Sequence, residues 1–253
     1  MTGIASLIEA ERIGLRYPTG RQALDDASLQ VQAGEVVVVL GANGSGKSTL
    51  LRCIAGMLRP SAGTVRVEGR QISTLKGRAL ADARIALGMV FQSAHLVRRR
   101  SVVANVMTGT LGRHRTWLSC LGRLPGLERD FALSCLDQVG LRAFAPQRAD
   151  TLSGGQAQRV SVARALAQRP RALLADEPVA SLDPEASEEL MRLLRCLATD
   201  QGIGVLCVLH QPDLAQRYAD RIVGLHEGRI VFDERPSALQ APRVAALYEA
   251  SRA

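Results

Sequence analysis

The chain has 253 residues, of which 47% are hydrophobic and only 3% aromatic, and it carries a formal charge of +8. That length supports one domain with an insertion or two small ones, with Val, Leu, Ile and Ala filling the core. No apolar run approaches the ~20 residues of a membrane span, and a polar, alternating N-terminus with Glu9, Glu11 and Arg12 is not a signal peptide.

In chain order, residues 6–17 alternate and end in the turn Tyr17-Pro18-Thr19-Gly20. Residues 24–32 read as a second strand, broken by Gly34. Val36–Leu40 is continuous and β-branched, the pattern of a central parallel strand. A glycine-rich loop follows at once, then a helical pattern over 47–57. Short strands are predicted at 64–67 and 70–72, and a longer one at 85–91 that ends at Gln92. Residues 93–168 read as mainly helical, with a Gly/Arg-rich irregular stretch at 109–126. Strands return at 172–175, 204–209, 221–226 and, as a terminal hairpin, 228–233, with helices between and after them. The expected architecture is therefore α/β: a core of residues 1–92 and 169–253 with a β-rich N-terminal portion, split by a helical subdomain at 93–168.

Cys53, Cys120, Cys135, Cys196 and Cys207 are scattered and form no paired motif, which predicts reduced, mostly buried thiols in a cytosolic protein. Lys47 and Lys76 are the only lysines. A chain that otherwise uses arginine keeps one compact ammonium inside its glycine loop, where a planar guanidinium would fit poorly.

That loop, Gly41-Ala42-Asn43-Gly44-Ser45-Gly46-Lys47-Ser48, matches GxxxxGK[ST] in full and sits between a strand and a helix, the context of a nucleotide phosphate loop. Glycines let backbone N–H groups turn onto phosphate oxygens, and the helix N-terminus adds partial positive charge. In such a loop Lys47 contacts the β- and γ-phosphates, Ser48 ligates Mg²⁺, and Thr49 reaches the α-phosphate. A buried strand at 172–175 then ends in two adjacent carboxylates. Asp176 is expected on the Mg²⁺ shell, directly or through water, and Glu177 as base or water-positioner.

A second glycine turn lies about a hundred residues further on: Leu152-Ser153-Gly154-Gly155-Gln156. Gly154 and Gly155 permit close backbone approach, Ser153 offers a hydroxyl, and a predicted helix aims its N-terminus at the same place. Together with the phosphate loop and the acidic strand end, this turn resembles the signature sequence of ATP-binding cassette (ABC) ATPases, and the likeness covers nearly the whole chain. The resemblance implies a P-loop NTPase core, ATP and Mg²⁺ as cofactors, and a head-to-tail homodimer in which residues 152–156 close over the partner's ATP.

By the same resemblance Tyr17 stacks on adenine, and Gln92 senses γ-phosphate and Mg²⁺ and links to the membrane subunit. Ser181-Leu182-Asp183 crosses the dimer interface, with Asp183 also capping a helix ahead of Pro184. His210, at a strand's C-terminal end, contacts the γ-phosphate. Within the family, residues 105–113 (NVMTGTLGR), Thr116-Trp117 and residues 174–184 (LADEPVASLDP) are most similar to the ATP-binding subunit of bacterial phosphonate importers. Thr110 departs from that pattern, where Arg is expected, and so does Ser93-Ala94-His95, where an aromatic and Asn are expected.

The implied setting is the cytoplasmic face of the cell inner membrane. There the chain would serve separate integral membrane permease subunits, and indirectly an extracytoplasmic solute-binding protein. A single cassette with no fused membrane domain, no long coiled-coil insertion and little chain after residue 240 fits that setting. Trp117 lies either on the permease-facing surface or in the core. Arg98-Arg99-Arg100 reads as a solvated run or a contact with acidic lipid or permease loops. The alternative cargoes are phosphite, phosphate esters or another small solute. The rival class, prompted by the basic charge, is a nucleotide switch or nucleic-acid-binding scaffold, although no nucleic acid is expected as a partner.

Overall fold

The computed structural model describes residues 6–113 and 126–249, so Trp117, Thr116 and Cys120 lie outside the described residues. Among the described residues, ten strands form two sheets. An antiparallel sheet has the order β2-β1-β4-β5, with β1 at Ile8–Arg16, β2 at Gln22–Val31, β4 at Ala62–Val67 and β5 at Arg70–Gln71. The second sheet runs β10-β9-β3-β8-β7-β6. It contains β3 (Val36–Leu40), β6 (Leu87–Val90), β7 (Ala172–Asp176), β8 (Gly204–Val208), β9 (Arg221–His226) and β10 (Arg229–Glu234). All its neighbours are parallel except the β9–β10 hairpin.

The period-two alternation of the parallel strands divides the core into two layers. Val36, Val38, Leu40, Leu173, Ala175, Val205 and Cys207 face one way, into a cluster shared with helices α3 (Val102–Met107), α4 (Gly126–Gln138), α5 (Gly154–Leu166) and α6 (Pro184–Gln201). Val37, Val39, Leu174, Leu206, Val208 and Val223 face the other way. They meet helix α1 (Lys47–Ile54) and the inner face of the antiparallel sheet. β3 is 0–1% exposed along its length because both its faces are covered, which is why it reads as an unbroken Val-Val-Val-Val-Leu run.

The boundaries differ from expectation at several points. The strand expected at 85–91 runs only Leu87–Val90, because Arg84–Ala86 form a 3₁₀ turn. Helix α1 stops at Ile54 rather than at 57: Gly56 adopts φ +64, and the N–H groups of Met57 and Leu58 turn back to the Arg52 carbonyl. Residues 93–101 are not helical. Asn105, 1% exposed, donates to the carbonyls of Val97 and Ser101 and accepts from the Val97 amide, while the Arg98 and Arg100 carbonyls accept from the Asp150 and Ala149 amides, so most of this segment's partners come from outside it. A short helix α2 (Gly77–Ala83) occupies a stretch with no expected element; it has no side-chain cap and buries only Ala83, so its sequence carries almost no amphipathic signal. Helices α7 (Pro212–Tyr218) and α8 (Ala241–Glu249) complete the chain. No helix among the described residues is long and apolar enough to cross a membrane.

Of the described cysteines, Cys53, Cys135 and Cys207 are buried and Cys196 is exposed. Burial pushes the Cys53 and Cys135 thiols up to about 11 and raises Cys207 as well, which leaves all three as inert core residues.

Candidate active site

The phosphate loop runs from the end of β3 to the start of α1, and its glycines are demanded by geometry. Gly46 is the α1 N-cap at φ +109, and a Cβ there would lie 2.4 Å from the Ala23 carbonyl oxygen. Gly41 has an ordinary φ but no room, since a Cβ would meet the Leu225 oxygen at 2.3 Å. Gly44 sits at φ +79, with Arg21 Nη2 donating to its carbonyl at 3.1 Å.

Lys47 is 5% exposed, and its Nζ donates to the Gly41 and Ala42 carbonyls at 2.8 and 2.9 Å. Burial lowers its pKa, while Glu177 and Asp176 pull it back upward. Ser45 Oγ is buried without a hydrogen-bond partner, an unmet polar group of the kind that costs ~1–3 kcal/mol until a ligand atom reaches it. An inward-turned glycine loop, a buried ammonium and an orphaned hydroxyl together suit a polyphosphate.

The acidic strand end meets this loop. Asp176 terminates β7, and the Ser48 hydroxyl donates to its Oδ1 at 2.9 Å. Burial raises the Asp176 pKa, with the Ser48 bond opposing the shift and Glu177 adding to it. A hydroxyl and one carboxylate are the protein share that a Mg²⁺ ion usually takes when substrate phosphates supply the rest. Glu177 follows in the left-handed region at φ +51, a strained place for a carboxylate side chain. Its Oε1 lies 2.6 Å from His210 Nε2, and its amide donates to the Val208 carbonyl. Parallel pairing of β7 with β8 thus brings Asp176, Glu177 and His210 together at the carboxyl ends of two neighbouring strands.

Tyr17 is half-buried beside this centre, its hydroxyl 3.2 Å from Thr49 Oγ1. A cleft of about 230 Å³ joins Tyr17, Lys47, Ser48, Thr49 and Glu177, with Arg21 and Asn43 on its rim. Gln92 lies two residues beyond Val90, which is paired with Ala175. It is exposed, and its side chain makes no hydrogen bond among the described residues. Lys47, Ser48, Thr49, Asp176, Glu177 and His210 are therefore gathered, whereas Gln92 stands at the edge.

The second turn is built differently. Ser153 caps α5: its Oγ accepts from the Gln156 amide at 3.2 Å, and Gln156 Oε1 accepts from the Ser153 amide at 3.0 Å, a reciprocal capping box. Gly155 is needed for packing, because a Cβ would come within 2.9 Å of Ala186 Cβ at the start of α6; at Gly154 the nearest atom, Leu182 Cδ2, would be 3.6 Å away. Asp183 caps α6 by accepting from the Ala186 amide at 2.8 Å, as its place before Pro184 predicts. Leu152 is half-buried and the Ser153-Gly154 corner is exposed.

Two further residues reach the site with little signal in the sequence. Arg21 reaches the loop because Tyr17 and Arg21 close a tight β-hairpin turn; the turn itself was legible, the side chain's reach was not. Tyr248 on α8 places its hydroxyl 3.5 Å from the His210 carbonyl, a contact across 38 residues that no local pattern announces. The segment 105–113 also proves partly architectural. Asn105 holds the 97–101 segment, and a Cβ on Gly109 would strike the Arg164 carbonyl at 2.0 Å. Thr110, where an Arg was expected, is fully buried with its hydroxyl on the Met107 carbonyl.

Such a site, on such a fold, defines a nucleotide-dependent ATPase cassette. The ABC transporter family pattern matches residues 24–180, and the chain belongs to that family as its ATPase domain. It is 49% identical over 243 residues to "Phosphonates import ATP-binding protein PhnC 3" of Nostoc sp., covering 96% of this chain and 92% of that protein. It is 45% identical to "Phosphite import ATP-binding protein PxtA" of Stutzerimonas stutzeri, covering 96% and 87%. Among solved structures, the dimeric post-hydrolysis state of the cassette MJ0796, bound to ADP and Pi, matches with TM-score 0.80 and 32% identity over 92% of this chain and all of that one.

Proposed function

We propose that the chain is the ATP-hydrolysing subunit of an importer for phosphonates. It works as a homodimer on separate permease subunits at the cytoplasmic face of the inner membrane, with an extracytoplasmic binding protein delivering the solute. The observation that carries the ATPase is the convergence of Lys47, Ser48, Asp176, Glu177 and His210 where the start of α1 meets the carboxyl ends of β7 and β8. The cargo rests on relatives named for phosphonate import. The phosphite-import relative supports a second cargo of the same class, a small phosphorus oxyanion.

In this reading, backbone amides of residues 41–48 and the Lys47 ammonium hold the β- and γ-phosphates. Thr49 touches the α-phosphate, and Tyr17 stacks on adenine. Ser48 and Asp176, with Gln92 drawn in from the edge, would hold Mg²⁺, which would supply positive charge against the phosphate oxygens. Glu177 orients and deprotonates the attacking water, and His210 steadies Glu177 and approaches the γ-phosphate. Leu152, Ser153, Gly154, Gly155 and Gln156 complete the partner's site, and Asp183 faces the same interface. Residues 93–168 form the subdomain that carries this turn.

Purified protein tests the reading. Mg²⁺-dependent ATPase activity abolished by Lys47→Ala is the expected result. Glu177→Gln should bind ATP, accumulate as a dimer and lose turnover by about 10²–10⁴-fold. A Glu177→Gln variant that hydrolyses ATP at the normal rate would overturn the role given to Glu177. Uptake of phosphonate and of phosphite in a deletion strain separates the two cargoes.

A further inference from the structure

Three polar side chains on or just after α5 reach across to β6 and to the segment after it that carries Gln92, and the function above uses none of them. Gln158, 2% exposed, donates from Nε2 to the Phe91 carbonyl at 2.6 Å. Arg164 donates from Nη2 to the Ala94 carbonyl at 2.7 Å and from Nη1 to the His95 carbonyl at 2.9 Å. At the other end of β6, Gln168 Nε2 reaches the carbonyls of Arg84, Ile85 and Leu87 at 2.8, 3.0 and 2.9 Å. Gln92 thus lies between two carbonyls that α5 holds, 91 and 94.

The held segment does not keep its own shape through secondary structure. It is irregular, His95 sits in the left-handed region at φ +48, and the Phe91 and His95 rings meet edge to face at 5.6 Å. Part-buried hydrogen bonds from a charged, planar donor fix such a segment more firmly than neutral or point-charge donors would. The same helix begins with the capped Ser153 turn. A displacement at its N-terminus therefore has a polar route to the Gln92 backbone.

We propose that Gln158 and Arg164 are positioning residues that yoke α5 to the Gln92 segment, so that engagement of Ser153 by the partner's nucleotide sets Gln92 at this chain's own site. The inference rests on the dimeric ATPase reading. It makes the yoke one physical link by which the two ATP sites sense each other, and the coupling must run in both directions.

The test uses the full chain, with ATPase rate against ATP concentration, ATP binding, and amide exchange over residues 91–96. Arg164→Ala should lower kcat about tenfold to a hundredfold while ATP affinity stays within about twofold. The Hill coefficient should fall to one. ATP-dependent protection of residues 91–96 should vanish while that of 41–48 persists. Arg164→Lys, which keeps a donor, should restore part of the rate. A merely structural staple would lower the melting temperature and leave kcat and cooperativity of the folded protein intact, and that outcome overturns the inference. Should Arg164→Ala fail to fold, Gln158→Leu removes one donor and is judged by the same readouts. A wild-type protein without ATPase activity would overturn both this inference and the reading beneath it; an active wild type with an unchanged Arg164→Ala overturns the inference only.

Discussion

The two glycine turns look alike in sequence and are opposites in structure. In the phosphate loop, Gly44 and Gly46 take conformations that L-residues avoid, and Gly41 and Gly46 have carbonyl oxygens where a Cβ would go. The loop buries an ammonium and leaves the Ser45 hydroxyl unsatisfied. The turn at 152–156 is relaxed. Its glycines have no positive φ, its serine is satisfied by a capping box, and its outer corner is open. A site that must hold its own ligand stores strain and unmet polarity. In the proposed dimer the second turn would meet a ligand carried by another chain, and for that role an ordinary, well-capped helix start suffices.

The largest expected effect probes the strained member. Gly46→Ala forces a side chain into φ +109 and against the Ala23 carbonyl, and should destabilise the fold by about 3 kcal/mol or more while abolishing ATP binding. Thermal melts with and without ATP check both. Gly154→Ala is the contrasting case: its Cβ has room, so the chain should melt at or slightly above the wild-type temperature, yet dimer turnover should fall about a hundredfold. Mixed dimers locate that defect, which should appear at the ATP bound to the partner's Lys47. Equal damage to the variant's own site would erase the distinction between the two turns.

Gly155→Ala, one residue on, should instead lose about 1–2 kcal/mol through its contact with Ala186, since that glycine serves packing. The smallest effect concerns charge. Because burial raises the Asp176 pKa, the native protein binds a proton there more readily than the unfolded chain does. Its stability relative to Asp176→Asn should therefore fall as pH rises from the ordinary aspartate range through the raised native value, and level off above it. Denaturant titrations of the two proteins across that window, without nucleotide or Mg²⁺, test the sign.

Much of this was legible in one dimension because local physics wrote it there. The all-apolar β3 run, the GxxxxGK[ST] loop, the paired carboxylates closing β7, and Asp183 before Pro184 each need particular residue types at fixed short spacings. What misled was equally local. Residues 93–101 look helical by composition, but their carbonyls are taken by Asn105, Arg164 and the amides of Ala149 and Asp150, and α2 has too little apolar face to announce itself. Parts of the 105–113 segment that suggested a cargo also answer to packing on α5, as Gly109 shows.

By itself the sequence determined which residue types are available to cradle phosphate, ligate a cation and orient water, and that a second glycine turn of another kind exists. Only the tertiary structure decided their company. Parallel pairing of β7 and β8 sets His210 against Glu177 across 33 residues. The descent of β2 onto the loop explains why Gly46 can be nothing else, through Ala23. The reach of Gln158 and Arg164 from α5 to the Gln92 segment spans some seventy residues. The reason is one of range: caps, turns and strand periodicity are settled within a few residues of chain, whereas distances between groups far apart in sequence are set by how whole layers pack.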